Sequence, residues 1–156
     1  MLKRSAIKII ILVCVIIALI AAWQSSRPVQ IMAVKDSVLF IKNIPVTDNG
    51  KIKWWNENKD FIIKKYHLIQ DAKFFTIIIM DFGEGYQELP GTGWSSVDKS
   101  DEDFICFEEI KNKRRCIYKE WSFDITGNMS RKVFINIGDR SYVQTPDGKT
   151  ELIDNQ

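Results

Sequence analysis

The residues best suited to chemistry lie in an acidic, glycine-rich stretch at positions 81–86, Asp-Phe-Gly-Glu-Gly-Tyr. Asp81 and Glu84 are suitable types for a general acid and base, and the same loop offers carboxylate and carbonyl oxygens to a cation. Two carboxylates are too few for a dedicated calcium loop, and the glycines match no phosphate-binding motif. We therefore favour a strand that ends in a tight turn with solvated acidic side chains.

Neither the only histidine nor the spacing of the cysteines indicates a catalytic or metal-binding site. His67 follows a predicted helix, and a histidine base would need a serine or cysteine nucleophile beside it. The sequence lacks the G-x-S-x-G motif of hydrolases, and its cysteine spacing fits no common zinc pattern. We expect His67 to be a surface or capping residue. We expect the protein to be non-enzymatic, with no metal site and no cofactor.

Four cations are concentrated within five positions: Lys111, Lys113, Arg114 and Arg115. Such a cluster can contact anionic lipid or an acidic partner. It is also typical of a solvated hairpin tip, and the neighbouring acids Glu108 and Glu109 favour that interpretation.

Cys106 and Cys116 are a candidate disulfide in an oxidising compartment. The nine residues between them read as strand, turn and strand, which would place the two cysteines across a hairpin. The alternative is a pair of reduced, partly buried thiols. Cys14 lies in an apolar run and is most simply a small apolar residue there.

Residues 9–23 form an uncharged apolar run that ends at Trp23, and only Lys8 interrupts its extension back to Ala6. A helix of that extended length measures roughly 27 Å, close to the hydrocarbon thickness of a bilayer. The run predicts a retained transmembrane helix. We disfavour the alternative interpretation as a cleaved signal peptide, because Leu19 and Ile20 lie where cleavage requires small residues. A helix buried in a soluble domain would not be apolar on every face.

Charge around this run sets the predicted topology. Lys3, Arg4 and Lys8 precede it, which favours a cytoplasmic N-terminus and an exported remainder. We expect a cytoplasmic tail at residues 1–8, a transmembrane helix at 9–23, a linker at 24–28 and a periplasmic domain at 29–156. The predicted location is the bacterial inner membrane.

The net charge of +2 is due to the first eight residues, since without their three cations 19 basic residues face 20 acidic ones. The exported part is therefore nearly neutral, which argues against nucleic acid as a partner. About 130 residues suffice for one domain with its own core.

The patterning of this part predicts an α+β fold, in which a mostly antiparallel sheet packs against one amphipathic helix. Residues 29–44 indicate two strands or one bulged hairpin, and a helix of about fifteen residues follows from Gly50 or Lys51. Trp54 and Trp55 cannot share one helical face, so one should be in the core. Residues 73–82 indicate a central strand covered on both faces.

Beyond that strand, residues 83–100 read as a long loop, and short strands follow from residue 103 as a meander. Aromatic and arginine side chains are favoured at contact centres. The candidate binding surface comprises Trp54, Trp55, Asp81, Gly83, Glu84, Gly85, Tyr86, Trp94, Arg114 and Arg115.

The order of these features resembles a family of enterobacterial putative membrane proteins known only as a domain of unknown function. The resemblance covers nearly the whole chain and is most specific where the tandem tryptophans and the Asp-Phe-Gly stretch occur together. It implies an inner-membrane protein and brings no activity, cofactor or catalytic residue. It is carried by the N-terminal span, Arg27-Pro28-Val29, residues 43–48, Gly50-Lys51-Ile52, Trp54-Trp55, Lys64-Lys65-Tyr66, residues 81–86, Cys106 and Cys116.

We therefore expect a single-pass inner-membrane protein whose periplasmic domain binds a protein or an envelope component. A sharper hypothesis is an immunity protein against a toxin delivered to the periplasm or inner membrane. One alternative is an envelope hydrolase that uses Asp81 and Glu84. Another is a small accessory subunit of a membrane complex that acts through its helix.

Overall fold

The computed structural model of the chain describes residues 2–25, 27–71, 73–91, 99–145 and 147–153. These residues form two α-helices, nine strands and a short 3-10 helix at Asp101–Asp103. The elements, in chain order, are α1 (Leu2–Ser25), β1 (Gln30–Lys35), β2 (Val38–Lys42), α2 (Asp48–Tyr66), β3 (Phe75–Asp81), β4 (Phe104–Cys106), β5 (Cys116–Tyr118), β6 (Glu120–Gly127), β7 (Val133–Ile137), β8 (Arg140–Gln144) and β9 (Thr150–Ile153).

Seven strands form one sheet in the order β1-β2-β3-β6-β7-β8-β9, and β4 pairs with β5 in a separate two-stranded sheet. Strands β2 and β3 are parallel, with α2 as the crossover between them, and the other neighbours are antiparallel. The α+β class and the mostly antiparallel sheet are thus confirmed, as is the meander from β6 onward.

The first two strands form the predicted bulged hairpin. Its register shifts between Ile31 and Ala33, and Asp36 adopts a positive φ of 52° in the turn. Asp36 tolerates this left-handed conformation better than a β-branched residue would. The hairpin leaves β1 at one edge of the sheet and places β2 next to the central strands.

Helix α2 begins at Asp48, two or three residues earlier than predicted. The Thr47 side chain caps it by accepting a hydrogen bond from the Gly50 amide at 3.1 Å. A side-chain oxygen at this position satisfies an amide that has no partner within the helix. The helix ends at Tyr66, and His67 follows in the left-handed conformation with φ 51°. His67 is therefore the capping residue that was expected.

The core between α2 and the sheet contains one of the tandem tryptophans. Trp55 is 1% exposed and packs in the same cluster as Ile62, Ile77 and Phe123. Trp54 is half-buried at the margin of this cluster, and its ring meets Phe123 edge to face at 6.4 Å. The structure thus confirms that the two tryptophans divide between core and margin.

The opposite face of the sheet carries a second, smaller core. Phe40 and Met80 project from β2 and β3 and pack with Phe107 and Ile117 of the β4–β5 segment. Along β3, Ile77 and Ile79 belong to the first cluster, whereas Ile78 and Met80 belong to the second. Strand β3 is therefore covered on both faces, as its continuous apolar sequence predicted.

A polar bridge joins the start of α2 to β8. The Tyr142 hydroxyl donates to Asp48 Oδ2 at 2.6 Å, and Arg140 Nη1 lies 3.1 Å from the same oxygen. The hydrogen bond to Asp48, followed by burial, raises the pKa of Tyr142. The bridge fixes the helix over a part of the sheet that lies three strands beyond β3.

Helix α1 differs from the rest of the chain because its apolar side chains are exposed. Twelve large apolar residues between Ile7 and Trp23 have exposures of 47–65%. The predicted transmembrane segment, residues 9–23, lies within this helix. Among the described residues, no helix has the length and apolarity needed to cross a membrane.

The polar bridge predicts an alkaline dependence of stability. Tyr142→Phe should lower the free energy of unfolding at pH 7 by about 1 kcal/mol, because a hydrogen bond is lost. In the wild type, folding raises the pKa of Tyr142 above about 10, which is the pKa of an unfolded tyrosine. The Tyr142 hydrogen bond therefore contributes its full stabilisation below about pH 10, and this stabilisation is lost as the pH rises through the pKa of the folded state. Thermal unfolding of the full chain in uncharged detergent, from pH 7 to 11, should therefore show a shallower alkaline decline for the variant.

Tyr118→Phe is the matched control for this measurement. The Tyr118 ring contacts Phe104 at 5.5 Å, but its hydroxyl bonds to no described carboxylate. This variant should keep the wild-type alkaline profile. A wild-type profile for Tyr142→Phe would show that the bond to Asp48 does not contribute.

Candidate functional site

The glycine-rich stretch after β3 is a tight turn, as favoured from the sequence. The Phe82 amide donates to Ile41 O at 2.9 Å, and the Gly85 amide donates to Phe82 O at 2.8 Å. Gly83 and Gly85 have φ angles of 48° and 79°. A Cβ on Gly85 would also lie 3.0 Å from the Phe82 ring. Glycine is therefore required at position 85 for both conformation and space.

The two carboxylates of this turn have different surroundings. Asp81 is partly buried, and its Oδ1 accepts a hydrogen bond from the Gly83 amide at 2.9 Å. Glu84 is exposed, and no described hydrogen bond joins the two side chains. The proposed acid–base pair of a hydrolase thus stays a prediction, whereas the role of Asp81 in shaping the turn is visible in the contacts.

Glu120 is an additional acidic neighbour that sequence reasoning missed. It pairs with Asp81 across β3 and β6, beyond a register shift between Ile79 and Met80. Its Oε2 lies 3.7 Å from the position that a Cβ on Gly83 would occupy. Within the described part of the chain, no three His, Cys, Asp or Glu side chains form a group that could hold a metal ion.

The predicted disulfide is present between Cys106 and Cys116, with an S–S distance of 2.06 Å. The two residues lie directly opposite each other in the β4–β5 pairing, so the predicted hairpin is also confirmed. Lys35 Nζ donates to Cys106 O at 2.5 Å and connects the hairpin to β1. The hairpin is held both by its covalent bond and by the sheet beneath it.

The turn and the hairpin form one continuous surface. Gln87 and Cys116 exchange two backbone hydrogen bonds of 2.7 and 3.1 Å, and Arg114 Nε donates to Tyr86 O at 3.2 Å. The Tyr86 ring packs edge to face on Phe107 at 5.7 Å. Burial, and then the nearby Glu109 carboxylate, raises the pKa of Tyr86. We call residues 83–91 and 107–115 together the loop–hairpin surface.

A cationic cleft of about 460 Å³ lies on this surface. Arg115 pairs with Glu108 at 3.1 Å, whereas Lys111 and Lys113 form no ion pair with a described residue. The cleft therefore presents net positive charge to solvent. Its lining consists of Glu88, Leu89, Lys111, Asn112, Lys113, Arg115 and Cys116.

A larger groove, of about 820 Å³, lies beside the chain segment that leaves α1. The parallel β2 and β3 end at the same edge of the sheet, and β1 starts there because Gln30 pairs with Lys42. The topology thus gathers three segments that are distant in sequence. We call this site the juxtahelical groove; it is lined by Arg27, Val29, Lys42, Asn43, Ile44, Pro45, Val46, Thr47, Asp81 and Gly83.

The segments around the juxtahelical groove are fixed by specific contacts. Asn43 adopts a φ of 61°, and its Nδ2 donates to Pro28 O at 3.0 Å. The Arg27 guanidinium lies 3.9 Å from the centroid of the Trp23 ring. Val46 is 91% exposed on the rim. The groove therefore combines two cations, Arg27 and Lys42, with one carboxylate and an apolar rim.

The structure separates the residues of the predicted binding surface. Asp81, Gly83, Glu84, Gly85, Tyr86, Arg114 and Arg115 come together around the turn and the hairpin. Trp55 is not part of an accessible surface, because the packing of α2 buries its indole in the core. Trp54 lies on the opposite face of the sheet from the hairpin, at the margin of the core cluster beneath α2. Trp94 lies outside the described residues.

Sequence reasoning missed the juxtahelical groove as a site. The sequence indicates no role for Lys42, and Arg27 enters only through the family resemblance. Neither residue lies near Asp81 in sequence, and only the strand order brings them together. The apolar segment at residues 44–46 beside these charges was the one available signal.

These features define a small α+β domain, with a disulfide-closed hairpin, that follows an exposed apolar helix. The chain belongs to the family described as "Enterobacterial putative membrane protein (DUF943)", which matches residues 2–153. This match confirms the family suggested by the sequence resemblance. No curated protein and no solved structure matches the chain.

The disulfide predicts a measurable share of the domain's stability. Replacing Cys106 and Cys116 together by alanine should lower the free energy of unfolding by about 2–3 kcal/mol, since a short loop is no longer closed in the unfolded chain. Thermal unfolding of the full chain in detergent measures the effect. Limited proteolysis after Lys111 and Lys113 should accelerate, because these residues lie between the two cysteines.

Cys14→Ala is the control, since Cys14 is an exposed, unpaired cysteine on α1. Its unfolding temperature and proteolysis rate should equal those of the wild type. Equal unfolding temperatures for the wild type and the Cys106/Cys116 double variant would contradict a stabilising role of the bond.

Proposed function

We propose that the protein is a membrane-tethered, non-enzymatic binding module, anchored through α1 and presenting its domain to a protein or envelope component in the periplasm. The main observation behind the proposal is that the glycine-rich turn and the basic hairpin form one surface. The disulfide and the paired backbone bonds pre-organise that surface. A pre-organised surface loses less conformational entropy when it binds.

Membrane association is supported by the exposed apolar side chains of α1. Leaving twelve large apolar residues in water is unfavourable, at roughly 25 cal/mol per Å² of apolar surface. Insertion into a bilayer removes this cost. The family description as a putative membrane protein agrees with the proposal.

A periplasmic location of the domain is supported by the disulfide. Such bonds persist in oxidising compartments and are rare in the bacterial cytoplasm. The cations that precede the apolar run, Lys3, Arg4 and Lys8, favour a cytoplasmic N-terminus. Both arguments favour the periplasmic side of the inner membrane for the domain.

The cationic cleft supports a partner that carries acidic groups. Lys111 and Lys113 form no ion pair with a described carboxylate, and they and Arg115 outnumber Glu88 in the lining of the cleft. Arginine is favoured at contact centres, and Arg114 is already oriented by Tyr86 O. Long-range attraction by such a patch accelerates encounter with an acidic surface.

Immunity against a delivered toxin is the narrower hypothesis within this proposal. An immunity protein acts by recognising its toxin, and a tethered one would meet a toxin at the membrane; the chain offers a candidate anchor and a candidate recognition surface. Toxin challenge of cells that express the chain, beside cells that carry an empty vector, tests this hypothesis. Survival of both cultures at the same rate would exclude protection against that toxin.

The anchor predicts how the chain fractionates. The wild type should remain in the membrane pellet after alkaline carbonate extraction. Replacing Ile16 and Ile17 by aspartate should release it, because each carboxylate at a helix centre costs about 3 kcal/mol on insertion. Met129→Asp, at an exposed apolar residue outside α1, is the matched control and should stay in the pellet.

Thiol labelling of Cys14→Ala cells tests the side of the membrane. Cys106 and Cys116 should label only after reduction, and only in the membrane fraction. Free thiols without reductant would contradict a periplasmic domain. Release of the wild type by carbonate would contradict the anchor.

The binding surface predicts a site-specific contact in cells. A photo-crosslinking residue at Lys113 should give an adduct, whereas the same residue at Lys53, which is exposed on α2, should not. Replacing Lys111 and Arg114 by glutamate should weaken the Lys113 adduct by about tenfold, since attraction to an acidic partner becomes repulsion. Equal adducts at both positions would count against the loop–hairpin surface.

A further inference from the structure

The juxtahelical groove carries a charge pattern that matches one class of ligand. We propose that it binds the headgroup of an aminophospholipid, with the phosphate against Arg27 and Lys42 and the ammonium against Asp81. The inference rests on the proposed insertion of α1 into the membrane. It concerns a different surface from the cationic cleft of the hairpin.

The phosphate end of this site is provided by the two cations. Arg27 follows α1 by two residues, and its guanidinium lies 3.9 Å from the centroid of the Trp23 ring. Indole rings are favoured at the level of the lipid headgroups, so this contact would hold the guanidinium at phosphate depth. Lys42 ends β2 and lines the same groove. Arginine and lysine are the side chains that bind phosphate in proteins.

The ammonium end of the site is provided by Asp81. Its Oδ1 accepts from the Gly83 amide, and its Oδ2 makes no hydrogen bond with a described residue. A primary ammonium can donate to this oxygen, whereas the trimethylammonium of a choline headgroup has no proton to donate. A glycerol headgroup has no positive charge and would face the carboxylate without compensation. The groove thus distinguishes three headgroups by charge and by hydrogen bonding.

The apolar rim of the groove fits the part of a lipid below its headgroup. Ile44, Pro45 and Val46 line one side, and Val46 is 91% exposed. A volume of about 820 Å³ accommodates a headgroup with part of its glycerol backbone. The site also lies at the carboxyl ends of the two parallel strands, next to the start of β1.

Lipid titration of the full chain tests this assignment. The chain, purified in an uncharged detergent, is titrated with phosphatidylethanolamine, phosphatidylglycerol or phosphatidylcholine, and bound lipid is measured by native mass spectrometry. The ethanolamine lipid should bind about fivefold or more tightly than the other two, as expected for one additional charge-assisted hydrogen bond. Equal affinities for the three lipids would overturn the assignment.

Substitutions separate the two ends of the site. Arg27→Gln with Lys42→Gln should weaken both phosphatidylethanolamine and phosphatidylglycerol, whereas Asp81→Asn should weaken only the former. Glu57→Gln, at an exposed carboxylate of α2, and Lys53→Gln, at an exposed cation of the same helix, are matched controls and should change neither affinity. An unchanged preference for phosphatidylethanolamine in Asp81→Asn would overturn the ammonium contact.

Two further measurements identify the source of the headgroup and test the membrane anchor separately. Free phosphoethanolamine should bind far more weakly than the lipid, and equal affinity would overturn the lipid as the source of the headgroup. Each variant is also fractionated in cells. A wild type in the soluble fraction would contradict the proposed function itself, whereas a membrane-bound chain without headgroup preference would overturn this inference alone.

Discussion

The structure depends on one constraint, which is that β3 is apolar on both of its faces. Ile77 and Ile79 project to one side, and Ile78 and Met80 project to the other. Each such side chain contributes about 1.5–3 kcal/mol when it is fully buried, so neither face can be left in water. The chain covers one face with α2 and the other with the β4–β5 hairpin and the turn that precedes it. Both covering layers are consequences of a single strand.

Helix α2 and the β4–β5 hairpin are stabilised in different ways, because the helix is much longer than the hairpin strands. Helix α2 has nineteen residues and buries Ile52, Trp55 and Ile62, and the polar bridge to β8 fixes its start. The hairpin has two strands of three residues each, which are too short to be stable by themselves. Its disulfide and its backbone bonds to Gln87 compensate for that shortness. The contacts that cover the second core therefore also hold the loop–hairpin surface in place.

The sequence predicted the parts of this fold that depend on local pattern. Alternation and turn residues located the strands, and the spacing of Cys106 and Cys116 predicted the hairpin bond. Strand β9 carries little apolar signal in the sequence, because it is a short edge strand in which Leu152 is 57% exposed. The start of α2 depends on its capping residue, and only the bond from the Gly50 amide identifies Thr47 as that residue.

The candidate sites were less predictable because they depend on strand order. The strand–helix–strand order from β2 to β3 is compatible with a parallel pair, but only the structure shows that these two strands are neighbours, and their pairing places Lys42 and Asp81 at one edge of the sheet. The pairing of Asp81 with Glu120 also depends on a register shift that has no sequence signature. The sequence left open which tryptophan is buried, and the packing of α2 on the sheet buries Trp55, which lies on the same helical stripe as Ile52 and Ile62.

The same topology keeps the two candidate surfaces apart. The parallel ends of β2 and β3 lie where β1 begins, so a groove at this edge must adjoin the residues that leave α1. If α1 is in the membrane, that edge faces the headgroups, and a mixture of cations, a carboxylate and Val46 is suited to them. The cationic cleft belongs to the cover of the second core and contains no residue of the linker. One strand order therefore leaves the domain with two separate candidate surfaces, of which only the juxtahelical groove adjoins the linker.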